Sequence, residues 1–241
     1  MYQANTTAGF SIVQYETNSG TSGSSQTVAH GLSQAPNFMI LKSRDQDGTG
    51  WMVYYGDNTD YVVLNATNTK VDGQSTWNDT SPTSSVFSIG TNGGDTNNTN
   101  GGSMIGYIFH DVEGYSRFGM YDANGNDDGT FVFLGFRPAF VMLKNIDNNT
   151  NGGNWVIMDD TRGGVGANRR PNPILSQIKA NSSDAEFDSI SYPMADFLSN
   201  GFKLRLGGTN SGLSRNVNNA NGNDYIYMAF AHSPFKYANA F

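Results

Sequence analysis

The chain contains no cysteine and few charged residues among its 241 positions. Without cysteine, neither a disulfide framework nor a thiolate metal site can form, so packing and hydrogen bonding must stabilise the fold. Charged residues make up only 15% of the chain, and glutamate occurs only at Glu16, Glu113 and Glu186. This scarcity of strong helix formers, together with 29 glycines, argues against a helical protein.

The sequence also lacks a segment that would place it in or across a membrane. No apolar run approaches the ~20 residues that span a bilayer, and residues 1–5 do not resemble the start of a secretory signal. The net charge of −7 comes without a concentrated basic face, which disfavours nucleic acid as a partner. We therefore expect a protein without an export signal, with neither membrane nor nucleic acid among its partners.

What the sequence does contain is an internal repeat. In residues 30–55, a glycine and a proline lead into an apolar run that ends in Lys42, followed by a polar loop, Trp51 and a second apolar run. Residues 134–158 reproduce this order, with Lys144 and Trp155 at the matching positions. The short runs of Val, Ile, Tyr and Phe between Gly/Asn clusters are typical of strands and turns.

These patterns predict an all-β fold made of two tandem, internally repeated β-sandwich units, jelly-roll-like and packed together. The first unit is predicted over residues 1–115 and the second, a pseudo-repeat of the first, over residues 116–241. Helix is expected only at residues 173–179, for about two turns, and at residues 193–198, for about one turn.

The best candidate for a metal site is the loop at residues 122–129. Its alternating oxygen-bearing side chains resemble the start of a calcium loop, with ligands from Asp122, Asn124, Asn126 and Asp128. The loop departs from the EF-hand pattern at the sixth and twelfth positions, where that pattern has Gly and Glu. An Asn/Gly-rich hairpin turn without an ion is the alternative. Apart from calcium, the sequence suggests no cofactor.

Trp77, Asn78 and Asp79 are the candidate ligand-binding residues. Trp51 and Trp155 recur in register and are predicted to lie in the core, whereas Trp77 has no counterpart in the second half. An aromatic ring flanked by Asn and Asp is a combination that stacks on and hydrogen-bonds a sugar. Burial of Trp77 in the core is the alternative.

One basic stretch, residues 162–170, is a candidate for partner contact. Its arginines, Arg162, Arg169 and Arg170, would meet an acidic surface of a partner or of a neighbouring subunit. A solvated loop without a partner is the alternative.

Residues suited to catalysis are few. The histidines, His30, His110 and His232, fall near predicted strand ends, where structural roles are expected. Asp57 and Asp159 follow the Trp-containing strands of the two units, but sequence alone gives no carboxylate separation. The sequence has no nucleophile elbow, phosphate loop or zinc-protease helix. We therefore predict that the chain is not an enzyme.

Six segments together resemble a β-rich domain that recurs in structural proteins of tailed bacteriophages, especially marine and cyanobacterial phages, often near the C-terminal end of tail-fibre-like polypeptides. The resemblance rests on His-Gly-Leu at 30–32 with Ala-Pro at 35–36, and on residues 77–87, 114–119, 135–141, 199–205 and 229–236. It carries no catalytic motif. In longer relatives the domain hangs from other modules, whereas here it starts near Met1, so we expect the attachment surface to lie on the domain itself.

The resemblance implies a bacteriophage virion structural protein, a tail-fibre, appendage or capsid-decoration component acting in assembly and host-surface attachment. Its location would be the virion. Its partners would be other virion proteins and further copies of the chain, arranged as a trimer or ring. The alternative is a carbohydrate-binding, lectin-like module that recognises a host cell-surface glycan. A polysaccharide depolymerase and an extracellular filament subunit also stay open.

Overall fold

The computed structural model describes residues 1–17, 24–91, 96, 102–148, 153–162, 172–188, 191–205 and 220–233. Strands hold 49% of the residues and helix 2%, so the predicted all-β class is confirmed. Within these residues, no helix is both long enough and apolar enough to cross a membrane. The chain divides into two compact units: unit 1 comprises Met1–Asn65 and Lys70–Val112, and unit 2 comprises Ala66–Thr69 and Glu113–Phe241.

Unit 1 is built from two antiparallel sheets and one short helix. Its elements are β1 (Tyr2–Asn5), β2 (Phe10–Glu16), β3 (Gln26–Ala29), β4 (Phe38–Ser43), β5 (Met52–Tyr54), β6 (Asp60–Val63), β7 (Val71–Asp72), α1 (Gln74–Trp77), β8 (Val86–Ile89) and β9 (Ser103–Phe109). The larger sheet has the order β1-β2-β9-β4-β5-β6-β7, and the smaller sheet pairs β3 with β8.

Unit 2 repeats this arrangement. Its strands are β10 (Ser116–Asp122), β11 (Asp128–Phe133), β12 (Pro138–Asn145), β13 (Trp155–Asp159), β14 (Ser176–Lys179), β15 (Phe187–Asp188), β16 (Ala195–Leu198), β17 (Gly201–Arg205) and β18 (Asp224–Ala231). The larger sheet has the order β10-β18-β12-β13-β14-β15, and the smaller sheet has the order β11-β17-β16.

Both units nest their strands in the same way. In unit 2 the first strand pairs with the last and the second with the last but one, β10 with β18 and β11 with β17. Unit 1 does the same with β2 and β9 and with β3 and β8, and adds β1 outside β2. This nesting is that of a jelly-roll-like sandwich, so the predicted internal repeat of β-sandwich units is confirmed.

Side-chain periodicity explains why these segments form strands. In β2, Ser11, Val13 and Tyr15 are buried while the residues between them are exposed, the alternation of a sheet with one face in the core. In contrast, β12 and β18 are near-continuous runs of buried residues, as expected for central strands covered on both faces. The repeat therefore places its most apolar segments at the centre of each large sheet.

The two predicted helical segments are wrong. Ser176–Lys179 is strand β14, paired with β13 and β15, and Ala195–Leu198 is strand β16, paired with β17. A helix of one or two turns is marginal in water, whereas both segments lie beside strands that bond their backbone. The only helix in the described residues is α1, which the sequence analysis did not predict.

Each unit has its own hydrophobic core. The core of unit 1 includes Trp77 and Phe87, and that of unit 2 includes Tyr121, Phe197 and Phe202, all less than a tenth exposed. In unit 2 the rings of Tyr121 and Tyr225 stack at 5.1 Å. Burial of large side chains contributes about 1.5–3 kcal/mol each, which is how a chain without disulfides is stabilised.

Candidate functional site

The repeat extends to individual side-chain hydrogen bonds, beginning with the two lysines. The Lys42 ammonium donates to the carbonyl oxygen of Thr49 at 3.1 Å, and the Lys144 ammonium donates to that of Gly153 at 2.5 Å. Both acceptors lie two residues before the tryptophan that starts the next apolar run. Lys144 is fully buried, and this burial lowers its pKa to about 8. Each lysine therefore fastens a loop within one large sheet.

Asparagine side chains also make equivalent hydrogen bonds in the two units. The backbone N–H of Trp51 donates to Asn65 Oδ1 at 2.9 Å, and that of Trp155 donates to Asn181 Oδ1 at 2.8 Å. These contacts recur at equivalent places in both units, so we assign them to the shared framework. A function that belongs to one unit must be sought where the two units differ.

The aspartates considered for catalysis belong to this framework. Asp57 Oδ1 accepts the N–H of Thr59 at 2.8 Å, and Asp159 Oδ1 accepts the N–H of Thr161 at 3.1 Å. Hydrogen bonds from neighbouring N–H and O–H groups outweigh desolvation and lower the pKa of Asp57. Both carboxylates close a turn after the Trp-containing strand.

Trp77 is not an exposed platform; the alternative stated from the sequence, burial in the core, is what the structure shows. The side chain is 1% exposed, its indole N–H donates to the carbonyl of Asp60 at 3.0 Å, and its ring meets Tyr54 edge-on at 5.5 Å. Trp77 ends helix α1 and faces the core. Asn78 and Asp79 are exposed, with left-handed φ values of 57° and 44° that terminate the helix. The three residues therefore do not form one sugar-stacking surface.

The candidate calcium loop is held by its own hydrogen bonds. Asn124 Nδ2 donates to the carbonyl of Asp128 at 3.0 Å, and the Asn126 N–H donates to Asn124 Oδ1 at 3.0 Å. The Asp128 carboxylate faces the Lys203 ammonium at 2.8 Å, a contact that lowers the pKa of Asp128. The Asp122 side chain makes no contact that brings it into this set, and within the described residues no group of three or more histidine or acidic side chains is placed to hold a metal.

The structure also contradicts the alternative that this loop is the turn of a hairpin. Strands β10 and β11 belong to different sheets, so the loop carries the chain from the larger sheet of unit 2 to the smaller one. Thr130 Oγ1 donates to the carbonyl of Asp122 at 2.8 Å across this connection. Calcium binding stays a prediction from the sequence alone, and the pairing of Asp128 with Lys203 favours a loop without an ion.

Of the three arginines predicted to contact a partner, only Arg162 lies within the described residues. Its guanidinium contacts the Asp159 carboxylate, Glu186 Oε1 at 3.3 Å and the carbonyl of Ile157 at 3.1 Å. These bonds are internal to unit 2, so the described contacts of Arg162 are structural ones within its own unit. Arg169 and Arg170 lie outside the described residues.

The histidines mark one difference between the units. His30 is buried, accepts the Leu32 N–H on Nδ1 at 3.1 Å and contacts the Thr83 carbonyl through Nε2 at 3.1 Å. The equivalent position of unit 2 holds buried Leu134, placed just before a glycine of positive φ as in unit 1. Burial lowers the pKa of His30, with a further lowering from His110. His110 is buried too, whereas His232 is half exposed and contacts Asp160.

The units differ most in the edge strand of the smaller sheet. The pairs Val28↔Phe87 and Val132↔Phe202 align β3 with β11 residue by residue. At the exposed positions on either side of Val28, unit 1 has Thr27 and Ala29. At these positions unit 2 has Phe131, which is 40% exposed, and Phe133, which is 58% exposed. Two aromatic rings therefore stand in solvent where the sister unit has small side chains.

Unit 2 has a third exposed apolar residue, on strand β10 of the larger sheet. In unit 1 a groove of about 600 Å³ runs between β2 and β3 and is lined by Gln14, Thr27 and Ala29 among others. The pairs Tyr15↔Met104 and Tyr121↔Tyr225 align β2 with β10 and make Met120 the counterpart of Gln14. Met120 is 47% exposed. Met120 faces away from the smaller sheet, because its neighbour Tyr121 faces the core. We call Phe131 and Phe133 the apolar edge of unit 2.

Charged groups flank the apolar edge on the outer face of the smaller sheet. Lys203 lies opposite Phe131 in the β11–β17 ladder and pairs with Asp128 at 2.8 Å. Arg205 Nε donates to Asp196 Oδ2 at 2.8 Å. An ideal Cβ on Gly201 would lie 3.1 Å from the Phe131 ring, so that ring partly covers the glycine. Aromatic rings bordered by paired charges are a surface suited to contact with another molecule.

The fold and framework define a tandem β-sandwich protein made of two copies of one nested-strand unit. Over residues 1–234 the chain matches the family described as a domain of unknown function (DUF7483), and it belongs to that family. No curated protein and no solved structure matches the chain.

The apolar edge was not among the residues that sequence reasoning selected. Its signal is nevertheless visible, because residues 128–130 are polar or small and residues 131–133 read Phe-Val-Phe. An alternating strand with one buried residue between two aromatic ones exposes those two. Aligning the strand with residues 26–29 of the first half would have revealed the substitution.

Proposed function

We propose that the chain is a structural component of a bacteriophage virion that assembles with further copies of itself, as a trimer or ring, through the apolar edge of unit 2. The supporting observation is that Phe131 and Phe133 are exposed where unit 1 carries Thr27 and Ala29. The resemblance to tailed-phage structural domains supplies the setting, which would be the virion. Host-surface attachment would follow from the loops that the assembly presents outwards.

The physical argument is the free energy of exposed aromatic surface. Phenylalanine and methionine are enriched at protein interfaces. Burying one aromatic ring against a partner contributes about 1–2 kcal/mol. The chain carries a net charge of −7, so copies repel each other at long range, and the apolar contact must offset that repulsion. Mutually paired Lys203 and Asp128 beside the rings leave little net charge at this place.

The structural roles of the acids support the absence of catalysis in this proposal. Asp57 and Asp159 cap equivalent turns in the two units, and Asp159 also binds Arg162. Carboxylates engaged in this way are framework groups, not a pair poised across a substrate. The polysaccharide depolymerase alternative would have to use other residues.

The test is to give unit 2 the residues of unit 1. The double variant Phe131→Thr, Phe133→Ala should fold like the wild type, because both side chains are exposed, and should weaken self-association by about 100-fold, the equivalent of ~1.4 kcal/mol for each ring. Light scattering coupled to size exclusion measures the effect. The matched control is Thr27→Ser, Ala29→Ser, which changes the equivalent strand of unit 1 and should keep the assembly. An oligomer that survives loss of both rings would rule out this edge as the contact.

A carbohydrate-binding role is the second candidate, and the same surface favours it. Exposed Phe131 lies beside Lys203 and Asp128, which combines a ring for stacking with groups that hydrogen-bond a sugar. A glycan array that includes host polysaccharide tests this role. Binding that is lost in Phe131→Thr, Phe133→Ala would move the proposal from assembly to glycan recognition.

A further inference from the structure

In each unit, the two edges of the larger sheet differ from each other. Their far edges are β7 and β15, which are two residues long and end in Asp72 and Asp188. A short, acidic edge strand is one of the devices that prevent strands of different molecules from pairing. The near edges are β1 and β10; β1 has no charged residue, and β10 is longer than β7 and β15 but carries exposed Arg117 and Asp122.

In the smaller sheet of unit 2, a side chain covers the backbone groups of the edge strand β16. The Phe197 N–H in β16 donates to Asn172 Oδ1 at 2.7 Å, and Asn172 Nδ2 donates to the Phe197 carbonyl at 2.9 Å. One amide side chain thus satisfies both backbone groups of an edge residue. Strand β1 instead has the sequence Tyr-Gln-Ala-Asn, without a charge or proline, and β10 is a full seven residues long.

Hydrogen-bond alternation shows which groups β1 turns outwards. The Gln14 N–H donates to the Met1 carbonyl at 2.8 Å, and the Met1 ammonium donates to the Gln14 carbonyl at 2.7 Å. Because alternate residues of a strand bond to opposite sides, Gln3 also faces β2, whereas the backbone groups of Tyr2 and Ala4 face away from it. A groove of about 500 Å³, lined by Ala4 and Ile12 among others, lies beside this strand.

The same rule applies to β10. The Ala231 N–H donates to the Tyr115 carbonyl at 2.8 Å, so Tyr115 and every second residue after it face β18. Ser116, Phe118, Met120 and Asp122 therefore turn their backbone groups away from β18. Ser116 and Phe118 are buried, so the accessible part of this edge lies at Met120 and Asp122. Met120 is the counterpart of Gln14, the residue whose backbone holds β1 in unit 1. Unit 1 thus demonstrates that this edge of the repeated sheet accepts another strand.

Exposed apolar side chains gather at the same two edges. The described residues include eight large hydrophobic side chains that are exposed, namely Met1, Tyr2, Ile12, Met120, Phe131, Phe133, Ile178 and Tyr192. Met1, Tyr2 and Ile12 lie at β1 and its neighbour β2, and Met120 lies in β10. These four residues stand at or next to the two edge strands.

We propose that the edge strand β1 of one copy pairs with the edge strand β10 of a second copy, which joins the larger sheet of unit 1 to the larger sheet of unit 2 in the next chain. The inference rests on the proposed self-assembly and names its contact. Each chain offers one β1 edge and one β10 edge, so the contact is head-to-tail. A head-to-tail contact between identical chains closes into a ring or a trimer when the rotation permits, and β1 keeps its own pairing with β2 throughout.

Two proline variants test the contact from its two sides. Ala4→Pro and Met120→Pro each remove one outward N–H, and proline at such an edge position leaves the ladder of its own sheet intact. Each variant alone should be monomeric at 26.1 kDa, because every contact needs both edges. Mixed in equal amounts, they should form a dimer that grows no further, since one chain still has a sound β10 and the other a sound β1. Light scattering coupled to size exclusion measures the molar mass of each of the three samples.

Two controls keep the outcome decisive. Melting temperatures near that of the wild type show that the proline variants fold. The second pair, Ala4→Lys and Met120→Lys, retains the amides and places a charged side chain on one edge of the contact, and should behave in the same way. Both singles staying oligomeric, or a mixture that stays monomeric, would overturn the strand pairing. A wild type that is itself monomeric would instead remove the proposed function, so the two failures are distinguishable.

Discussion

Replacing buried Lys144 with methionine should change how the stability of the protein depends on pH. Lys144 is fully buried, and its folded-state pKa of about 8 lies below the ordinary 10.5. The unfolded chain therefore binds more protons than the folded chain between these values, and stability must rise as the pH rises through that window. At about 1.4 kcal/mol for each pKa unit, the full gain is about 3 kcal/mol.

The assay is urea unfolding of the wild type and of Lys144→Met from pH 7 to pH 10. Over this range the unfolding free energy of the wild type should rise by about 2–3 kcal/mol relative to the variant. At pH 7 the two should be close, because methionine removes a buried charge but leaves the Gly153 carbonyl without its donor.

The repeat provides the matched control. Lys42 makes the equivalent contact with Thr49 at a half-buried position, so Lys42→Met is the matched loss of a lysine that fastens the same loop in unit 1. Parallel curves for the wild type and Lys144→Met would refute the argument that Lys144 is buried as a cation.

Three further predictions concern residues that the structure reassigns. His30→Leu, which installs the residue type of unit 2, should flatten the loss of stability on acidification: burial lowers the pKa of His30, so its contribution is present above about 6.5 and lost as the pH falls through the folded value, and an unchanged acid limb in urea unfolding would contradict this. Trp77→Ala should reduce the unfolding free energy by about 3–5 kcal/mol, because Trp77 is a core residue, and a loss under 1 kcal/mol, roughly that of a surface site, would show that it is not. Added calcium should leave the melting temperature unchanged, because Asp128 is paired with Lys203, and a rise that a chelator reverses would establish the ion.

Much of the fold could be predicted because the two halves of the chain carry the same residue types in the same order. Lys42, Trp51 and their counterparts Lys144 and Trp155 recur with the same neighbours, and they occupy equivalent places in two equivalent sheets. Apolar alternation then indicates strands wherever one face meets a core. The helices predicted at residues 173–179 and 193–198 were wrong because local helix propensity takes no account of the neighbouring strands that pair with these segments.

The site residues were harder to predict because their meaning depends on partners distant in sequence. Trp77 has no counterpart in unit 2, which favoured an exposed role, yet the carbonyl that holds its indole belongs to Asp60. Arg162 was grouped with a basic loop, whereas its partners are Asp159 and Glu186. In contrast, Phe131 and Phe133 acquire meaning only when compared with Thr27 and Ala29, a comparison that needs the strand register.

The measurement that tests the central claim most directly is the molar mass of the wild-type protein in solution, by light scattering over a series of concentrations. The account predicts a defined multiple of the 26.1 kDa chain mass, consistent with a trimer or ring, that persists on dilution into the micromolar range. A mass of 26.1 kDa at every concentration would contradict self-assembly through the apolar edge.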